Sequence, residues 1–439
     1  MLTIEANDLV TKVTGDAPMG TYFREFWLPF LFSNELEVDG PPERIRLLGE
    51  DLIAFRNSEG KVGLIGEHCP HRYASLFFGR NEEGGMACVY HGWKFSPDGT
   101  CLDMPSEPEA SNFRDKVKQP AYPCEERGGV VWAYMGDQKV LPALPDLEWM
   151  DLPADQIVAS KRIQYTNWLQ GLEGEIDQSH LSFTHRRLKY GEGLNFSGTL
   201  VNQIRQSDKH PVFETVNTEA GVCIGSGRKA PDGQKYWRIS QWLTPSHIMT
   251  GPYGPNPMRN WRMWVPVDDV TVLIMGCHFH PNRAIEGSER EKLVTNGQVW
   301  NISPHLRLHK QGQAFAKWHP KPGIENDFFI DRQIQKTESY SGIEEFWAQD
   351  AAPQISMGPI TPRNLEHLGT SDLGIIAMRK RLLSELRAFE QNKSAPPQVN
   401  HPEWYRVRSD AAILASEEPW YKATAERRVA YANSNPDCP

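Results

Sequence analysis

Apolar and polar positions follow two periods along this chain. From Arg44 to Gly66 they alternate, predicting strands over 45–48, 52–56 and 62–65 with a turn at Ser58-Glu59-Gly60-Lys61. Trp93-Lys94-Phe95, the turn Ser96-Pro97-Asp98-Gly99 and Thr100-Cys101-Leu102-Asp103 repeat that order. Together they predict a small antiparallel β domain. Ahead of it, residues 18–33 carry an aromatic cluster expected as a short helix that docks on the core. Behind it, Pro105, Pro108, Pro120 and Pro123 break up an irregular stretch before the apolar run Gly129–Met135, and Leu141-Pro142-Ala143-Leu144-Pro145 reads as a linker. The expected division is an N-terminal segment over 1–43, a β domain over 44–150 and a larger domain over 151–439.

Beyond the linker the period changes. Trp168, Leu169, Leu172 and Ile176 recur at helical intervals. Residues 196–283 turn strand-rich, with strands expected over 236–242, 261–265 and 271–275. Helices return from Ser288 and end in a long one over 373–391. The fold class expected is α+β, without internal repeats.

At 439 residues, with 39% hydrophobic and 23% charged residues, the chain has the makings of a sizeable core. A net charge of −9 with no basic block argues against nucleic acid or an anionic membrane as partner. No apolar run approaches the roughly 18 residues of a transmembrane helix. The first residues lack a basic region followed by an apolar one, so a reducing cytoplasm is expected. The seven cysteines fit: beyond Cys69 and Cys88, the other five lack a framework spacing. Cys223 and Cys277 read as small buried hydrophobes, Cys438 as a tail residue, and Cys101 and Cys124 as free thiols.

The chemistry begins at Cys69-Pro70-His71. After sixteen intervening residues comes Cys88-Val89-Tyr90-His91. Two thiolates and two imidazoles spaced C-x-H…C-x2-H are the ligand set of a Rieske [2Fe-2S] centre, in which the cysteines hold one iron and the histidines the other. Tetrahedral zinc accepts the same four side chains, but zinc motifs usually pair Cys with Cys and His with His, whereas each loop here mixes them. Tyr90, Trp93 and Phe95 would shield a redox cluster from water. His68 lies on the wrong side of Cys69 for the spacing and reads as an exposed loop residue.

A second metal site is suggested by Asp177, His180 and His185. On an ideal helix His180 and His185 lie about 140° apart, so both reach one metal only if the helix distorts or ends between them. Two histidines and a carboxylate from elsewhere make the facial triad of a non-haem Fe(II) oxygenase. Asp177, placed between a histidine on each metal, could couple them or could be a solvated carboxylate. His278 with His280 and His305 with His309 are more simply structural pairs.

C-x-H…C-x2-H followed by Asn167-Trp168, Glu173, Asp177, His180 and His185 resembles the Rieske non-haem iron oxygenases. Met104-Pro105-Ser106-Glu107-Pro108, Gly358-Pro359-Ile360, Arg363, Glu366, Leu368 and Gly369 resemble the phthalate-dioxygenase-like branch. The resemblance implies a Rieske domain that passes electrons to a mononuclear iron in a helix-grip domain. It also implies a head-to-tail trimer, in which Asp177 bridges the cluster histidine His91 of one subunit and His180 of the next. Asp350 matches the late carboxylate ligand, with Glu344, Glu345 and Asp372 as rivals on chemistry alone.

With no G-x-G-x-x-G turn and no P-loop in the sequence, the resemblance implies a separate NAD(P)H-dependent reductase with flavin and an iron–sulfur cluster. The expected reaction is O2-dependent hydroxylation of an aromatic, carboxylated compound. O- or N-demethylation of a methoxylated aromatic acid is the alternative. A ferredoxin-like electron carrier and a zinc-stabilised binding module are alternatives of other classes. Arg238 is a candidate to grip a carboxylate, or else a cation packed on aromatics. Val212 stands where phthalate-type members carry an arginine, which argues against phthalate itself.

Overall fold

The computed structural model describes residues 1–108, 110–188, 199–295, 302–432 and 434–439. The alternating N-terminal segments form two four-stranded antiparallel sheets. Strands Glu43–Leu47, Glu50–Arg56, Val62–Gly66 and Ala121–Tyr122 make one; Arg80–Glu82, Gly85–Ala87, Lys94–Phe95 and Cys101–Asp103 make the other. Ile53, Phe55, Ile65, Phe95 and Met86 fill the core between them, together with Cys69 and Cys88.

The aromatic stretch 18–33 behaves differently from the expected helix. Only Pro18–Arg24 is helical; Trp27–Phe32 is a strand, paired with Val130–Tyr134, which also pairs with Cys124–Arg127. A continuous apolar run does not distinguish helix from strand by period, and here the free edge of Val130–Tyr134 decides it.

The larger sheet has eight antiparallel strands. In spatial order they are Ile157–Gln164, Val272–Phe279, Arg259–Pro266, His247–Met249, Gln234–Leu243, Gly221–Lys229 and Val212–Asn217, with Asp410–Ala415 pairing the first half of Gln234–Leu243. Three of these strands follow the sequence pattern. The strand-rich stretch opens instead with a helix, Leu200–Ser207, and its residues 196–198 lie outside the described residues. The C-terminal strand and Ile157–Gln164 are additions, and the long helix spans Leu373–Asn392.

Because strand side chains alternate between faces, Arg259–Pro266 divides its work. Trp261 and Met263 point to the core, where Trp261 lies 4.8 Å from Trp149 and 5.9 Å from Trp132 by ring centroids, tying the large sheet to the three-stranded one. Asn260, Arg262 and Trp264 occupy the other face. There helix Trp168–Ile176 lies so close that a Cβ on Gly171 would overlap the Trp264 ring. No helix among the described residues is long and apolar enough to cross a membrane.

Candidate metal centres

The first centre is built at the tips of two tight loops. In one, Cys69 N–H donates to Ala74 C=O and Tyr73 N–H to Cys69 C=O; in the other, Cys88 N–H donates to Trp93 C=O and Gly92 N–H to Cys88 C=O. Gly92 has φ +75°, and a Cβ there would sit 2.5 Å from Pro105 Cγ, so the turn before Trp93 excludes a side chain. These loops bring the four predicted ligands together. Cys69 and Cys88 are buried, whereas His71 and His91 are half-buried with ring centroids 4.5 Å apart. Trp93 stacks on His71 at 4.5 Å and is fixed by its Nε1–H donating to Ser106 Oγ at 3.1 Å. Ser106 belongs to the Met104–Pro108 stretch, which thus supports the loop. His68 instead stacks on Tyr73 at 4.3 Å, away from the set.

Two observations fit a metal cluster. His71 Nδ1 is buried without a hydrogen-bond partner, a costly state for an imidazole nitrogen unless it is a ligand. Burial pushes the Cys69 thiol up to about 11, so a thiolate there needs a cation beside it.

The second centre is assembled from distant segments. Helix Trp168–Ile176 starts at Asn167, whose Oδ1 accepts from Leu169 N–H while its Nδ2 donates to Thr11 C=O and Asp269 C=O. The helix ends one residue before Asp177 and not between the histidines: Asp177 is its C-cap and accepts from Ser179 N–H at 2.6 Å. His180 opens a single 3₁₀ turn, so neither histidine lies on that helix. Gln170 ties the helix to Phe346–Ser356, donating to Gln354 C=O and Gly358 C=O and accepting from Thr361. A Cβ on Gly174 would overlap the Gln354 amide.

Through this seam Asp350 reaches the histidines. Its Oδ1 is 3.0 Å from His185 Nε2 and 3.5 Å from His180 Nε2, and the three side chains converge as a metal-ligand set. His180 Nδ1 lies 3.5 Å from Asp177 Oδ2. His185 stacks on Phe346 at 3.9 Å, and its Nδ1 lies 2.8 Å from Gln349 Oε1. His185 Nε2, despite its nearness to Asp350, is buried without a hydrogen bond. An unsatisfied nitrogen aimed at a carboxylate oxygen fits a shared cation. Burial works against the charged form of Asp350, but His185, His180 and Arg162 outweigh it and hold the carboxyl below its usual range.

The rivals serve elsewhere. Asp372 accepts from Gly369 N–H at the start of the long helix, and Glu345 stands before Phe346–Ser356, its carboxyl pushed up to about 7 by burial and by Glu344. Glu173 is structural: buried Arg363 and Arg379 both bind it, and Glu366 holds Arg379 from the other side. That network accounts for Arg363 and Glu366 of the quoted stretch.

A cavity of about 340 Å³ opens beside the triad, lined by Asp177, His180, His185 and Asp350 and by Arg205, Arg238 and Tyr253. Arg238 is 5% exposed; it donates to Gly251 C=O and to Gln178 Oε1, and lies over the Tyr253 ring. Its neighbour Trp237 faces the opposite side of the sheet and stacks on Trp420. Val212 begins an edge strand and is absent from the lining. His278, set aside on sequence, is buried and lines the cavity with Asn260, its register partner. Sequence reasoning missed Gln349 and Arg205; proximity to Asp350 was the signal available for the first, and Arg205, the lone basic residue of Leu200–Ser207, carried none.

Residues 26–121 match the Rieske [2Fe-2S] domain, and residues 133–436 match the LigXa C-terminal domain like family. The chain is 38% identical over 437 residues to the 3-chlorobenzoate-3,4-dioxygenase oxygenase subunit of Comamonas testosteroni, covering 98% of each. It is 36% identical over 427 residues to the phthalate 4,5-dioxygenase oxygenase subunit of Pseudomonas putida, covering 96% of this chain and 94% of that one. In the reduced complex between oxygenase and ferredoxin of carbazole 1,9a-dioxygenase, a chain 20% identical has the same fold, with a TM-score of 0.54 over 90% of this chain and 96% of that one. Oxygenases of this kind carry a [2Fe-2S] cluster and a mononuclear iron. With both matches in their expected order and a donor set for each metal, the chain belongs to the Rieske non-haem iron oxygenases, in the branch of phthalate and chlorobenzoate dioxygenase oxygenase subunits.

Proposed function

We propose that this oxygenase hydroxylates a single-ring aromatic carboxylate, with Cys69, His71, Cys88 and His91 as cluster ligands and His180, His185 and Asp350 as iron ligands. Three buried guanidiniums carry the substrate class. Arg205 and Arg238 line the cavity, Arg228 lies behind them, and among the described residues none of the three is within salt-bridge distance of a carboxylate. Burial lowers the pKa of Arg238 and pushes that of Arg228 down to about 10. The hydrogen bonds of the three go to neutral acceptors, the Tyr253 hydroxyl, Gly251 C=O and Gln178; charge buried without an ionic partner is costly, and a substrate carboxylate relieves it. The cavity volume is at the small end for ligand pockets, which favours one ring over several.

When bound, the cluster supplies single electrons and the mononuclear iron supplies dioxygen activation. The chain supplies the rest. Asp350 stays ionised beside the two imidazoles, Asp177 holds the Nδ1 side of His180, and Arg238 and Arg205 orient the acid. Met258, Leu293, Trp264 and the prolines 252, 255 and 257 wall the cavity against water.

The domain limits 1–43, 44–150 and 151–439 are retained in this proposal, with Trp27–Phe32 as the first segment's link to the β domain. A head-to-tail trimer is proposed from two complementary surfaces. One is the half-exposed His71/His91 edge, flanked by exposed Tyr73, Val89 and Tyr90; the other is Asp177, partly exposed behind His180. A separate NAD(P)H-dependent flavin and iron–sulfur reductase would feed the cluster. The five cysteines outside the proposed cluster are unpaired by disulfides, in keeping with the cytoplasmic home proposed; Cys438, read as a tail residue, is buried against Asp410.

The test is turnover with a reductase and a panel of benzoates and methoxybenzoates under ¹⁸O2. A cis-diol with both oxygens labelled is the expected product. Formaldehyde from the methoxylated acids would assign demethylation instead, and oxygen uptake indifferent to every acid would refute the carboxylate site.

A further inference from the structure

We propose that Gln349 is a positioning residue for the mononuclear metal, fixing which nitrogen of His185 is free to bind it. The inference rests on His180, His185 and Asp350 being the metal ligands.

The helix that carries Asp350 puts three residues around one imidazole. Phe346, Gln349 and Asp350 are spaced i, i+3 and i+4 and so share a face. Phe346 stacks on the His185 ring at 3.9 Å with 12° between planes, which fixes the plane of the ring. Gln349 fixes its polarity. The amide is 3% exposed, and its Nε2 donates to Ile343 C=O at 2.8 Å. A backbone carbonyl can only accept, so the amide cannot be turned round, and Oε1 faces His185 Nδ1 at 2.8 Å as an acceptor. Nδ1 therefore carries the ring proton. Nε2 is left with its lone pair, 3.0 Å from Asp350 Oδ1 and without a hydrogen bond. An imidazole nitrogen and a carboxylate oxygen held that close, without a hydrogen bond from the nitrogen, are arranged for a shared cation.

The two histidines are thus backed unequally, His180 by the carboxylate of Asp177 and His185 by a neutral amide. A partner on the far ring nitrogen sets both the tautomer and the donor strength of a metal-binding imidazole.

The test is Co(II) titration, by absorbance, of cluster-loaded protein stripped of mononuclear iron with a chelator, alongside the cluster spectrum and Tm. Gln349→Leu, which keeps bulk and removes the acceptor, should weaken Co(II) binding about 10–100-fold with the cluster spectrum and Tm unchanged. Gln349→Glu restores an acceptor and should bind at least as tightly as the parent. Parent affinity in Gln349→Leu, or an equal loss in Gln349→Glu, overturns the proposal. If Gln349→Leu lowers Tm, Gln349→Met takes its place with the same two outcomes. His185→Ala separates the two levels: undiminished Co(II) binding there would overturn the ligand assignment itself, whereas its loss beside an intact Gln349→Leu would overturn only the role of Gln349.

Discussion

The two metal centres are made in opposite ways. At the cluster end the donors come from two short loops, each closed by its own backbone hydrogen bonds, with buried cysteines behind and histidines at the edge. At the iron end the donors come from an irregular segment after one helix and the face of another, and 164 residues separate His185 from its hydrogen-bonded neighbour Gln349. A loop motif carries its geometry with it. The triad depends on Gln170 and Gly174 to bring two helices into register, and on Glu173 to anchor the first of them to Arg363 and Arg379. Damage to the first centre should therefore stay local, whereas the second should fail both at its ligands and at a distance.

The largest expected effect is at the ligands. His180→Ala or His185→Ala should lose the mononuclear iron and all turnover while the brown cluster spectrum remains; joint loss of both metals would abolish the distinction. Asp177→Asn should keep both metals by elemental analysis and nearly abolish turnover, since only the carboxylate behind His180 changes. Normal turnover would remove the bridging role.

Glu173→Gln tests the scaffold. Leaving Arg363 and Arg379 buried without their carboxylate should cost about 3–5 kcal/mol of stability, read in denaturant unfolding. Burial opposes the charged form of Glu173, but the two arginines overcome it and hold its carboxyl below the ordinary value. Its contribution is therefore present above the unfolded carboxylate pKa and is lost as the pH falls through the lowered, folded one. The glutamine variant should lack that part of the acid dependence.

Arg238→Gln should raise KM for an aromatic acid roughly 10–100-fold, the range for one hydrogen bond to a charge, with a smaller change in kcat. Gly92→Ala, forcing φ +75° on a residue with a Cβ, should cost about 1–3 kcal/mol and loosen the cluster before the iron.

What the sequence revealed follows the same division. The proposed cluster ligands and the strands beside them were legible because both are local patterns. The histidine pair was legible as two donors, but Asp350 rested on resemblance alone, since nothing within its own helix marks it off from Glu344 or Glu345. Ile157–Gln164 was not among the expected strands: two of its buried positions, Lys161 and Arg162 on opposite faces, are charged and break the apolar pattern. Lys161 is in fact buried against Glu35, with Phe32 and Trp318 at 5.0 and 4.8 Å. The strand Asp410–Ala415 is six residues long, and only the edge of Gln234–Leu243 gives it a place. Gln349 was invisible because an amide has no signature until its two partners are known.

The claim that one chain holds two unlike iron centres is tested most directly by counting iron and acid-labile sulfide in anaerobically purified protein. About three irons and two sulfides per chain are predicted, falling to about two irons with the sulfide unchanged in His185→Ala. Zinc in place of iron, or equal iron and sulfide in the parent chain, would contradict it.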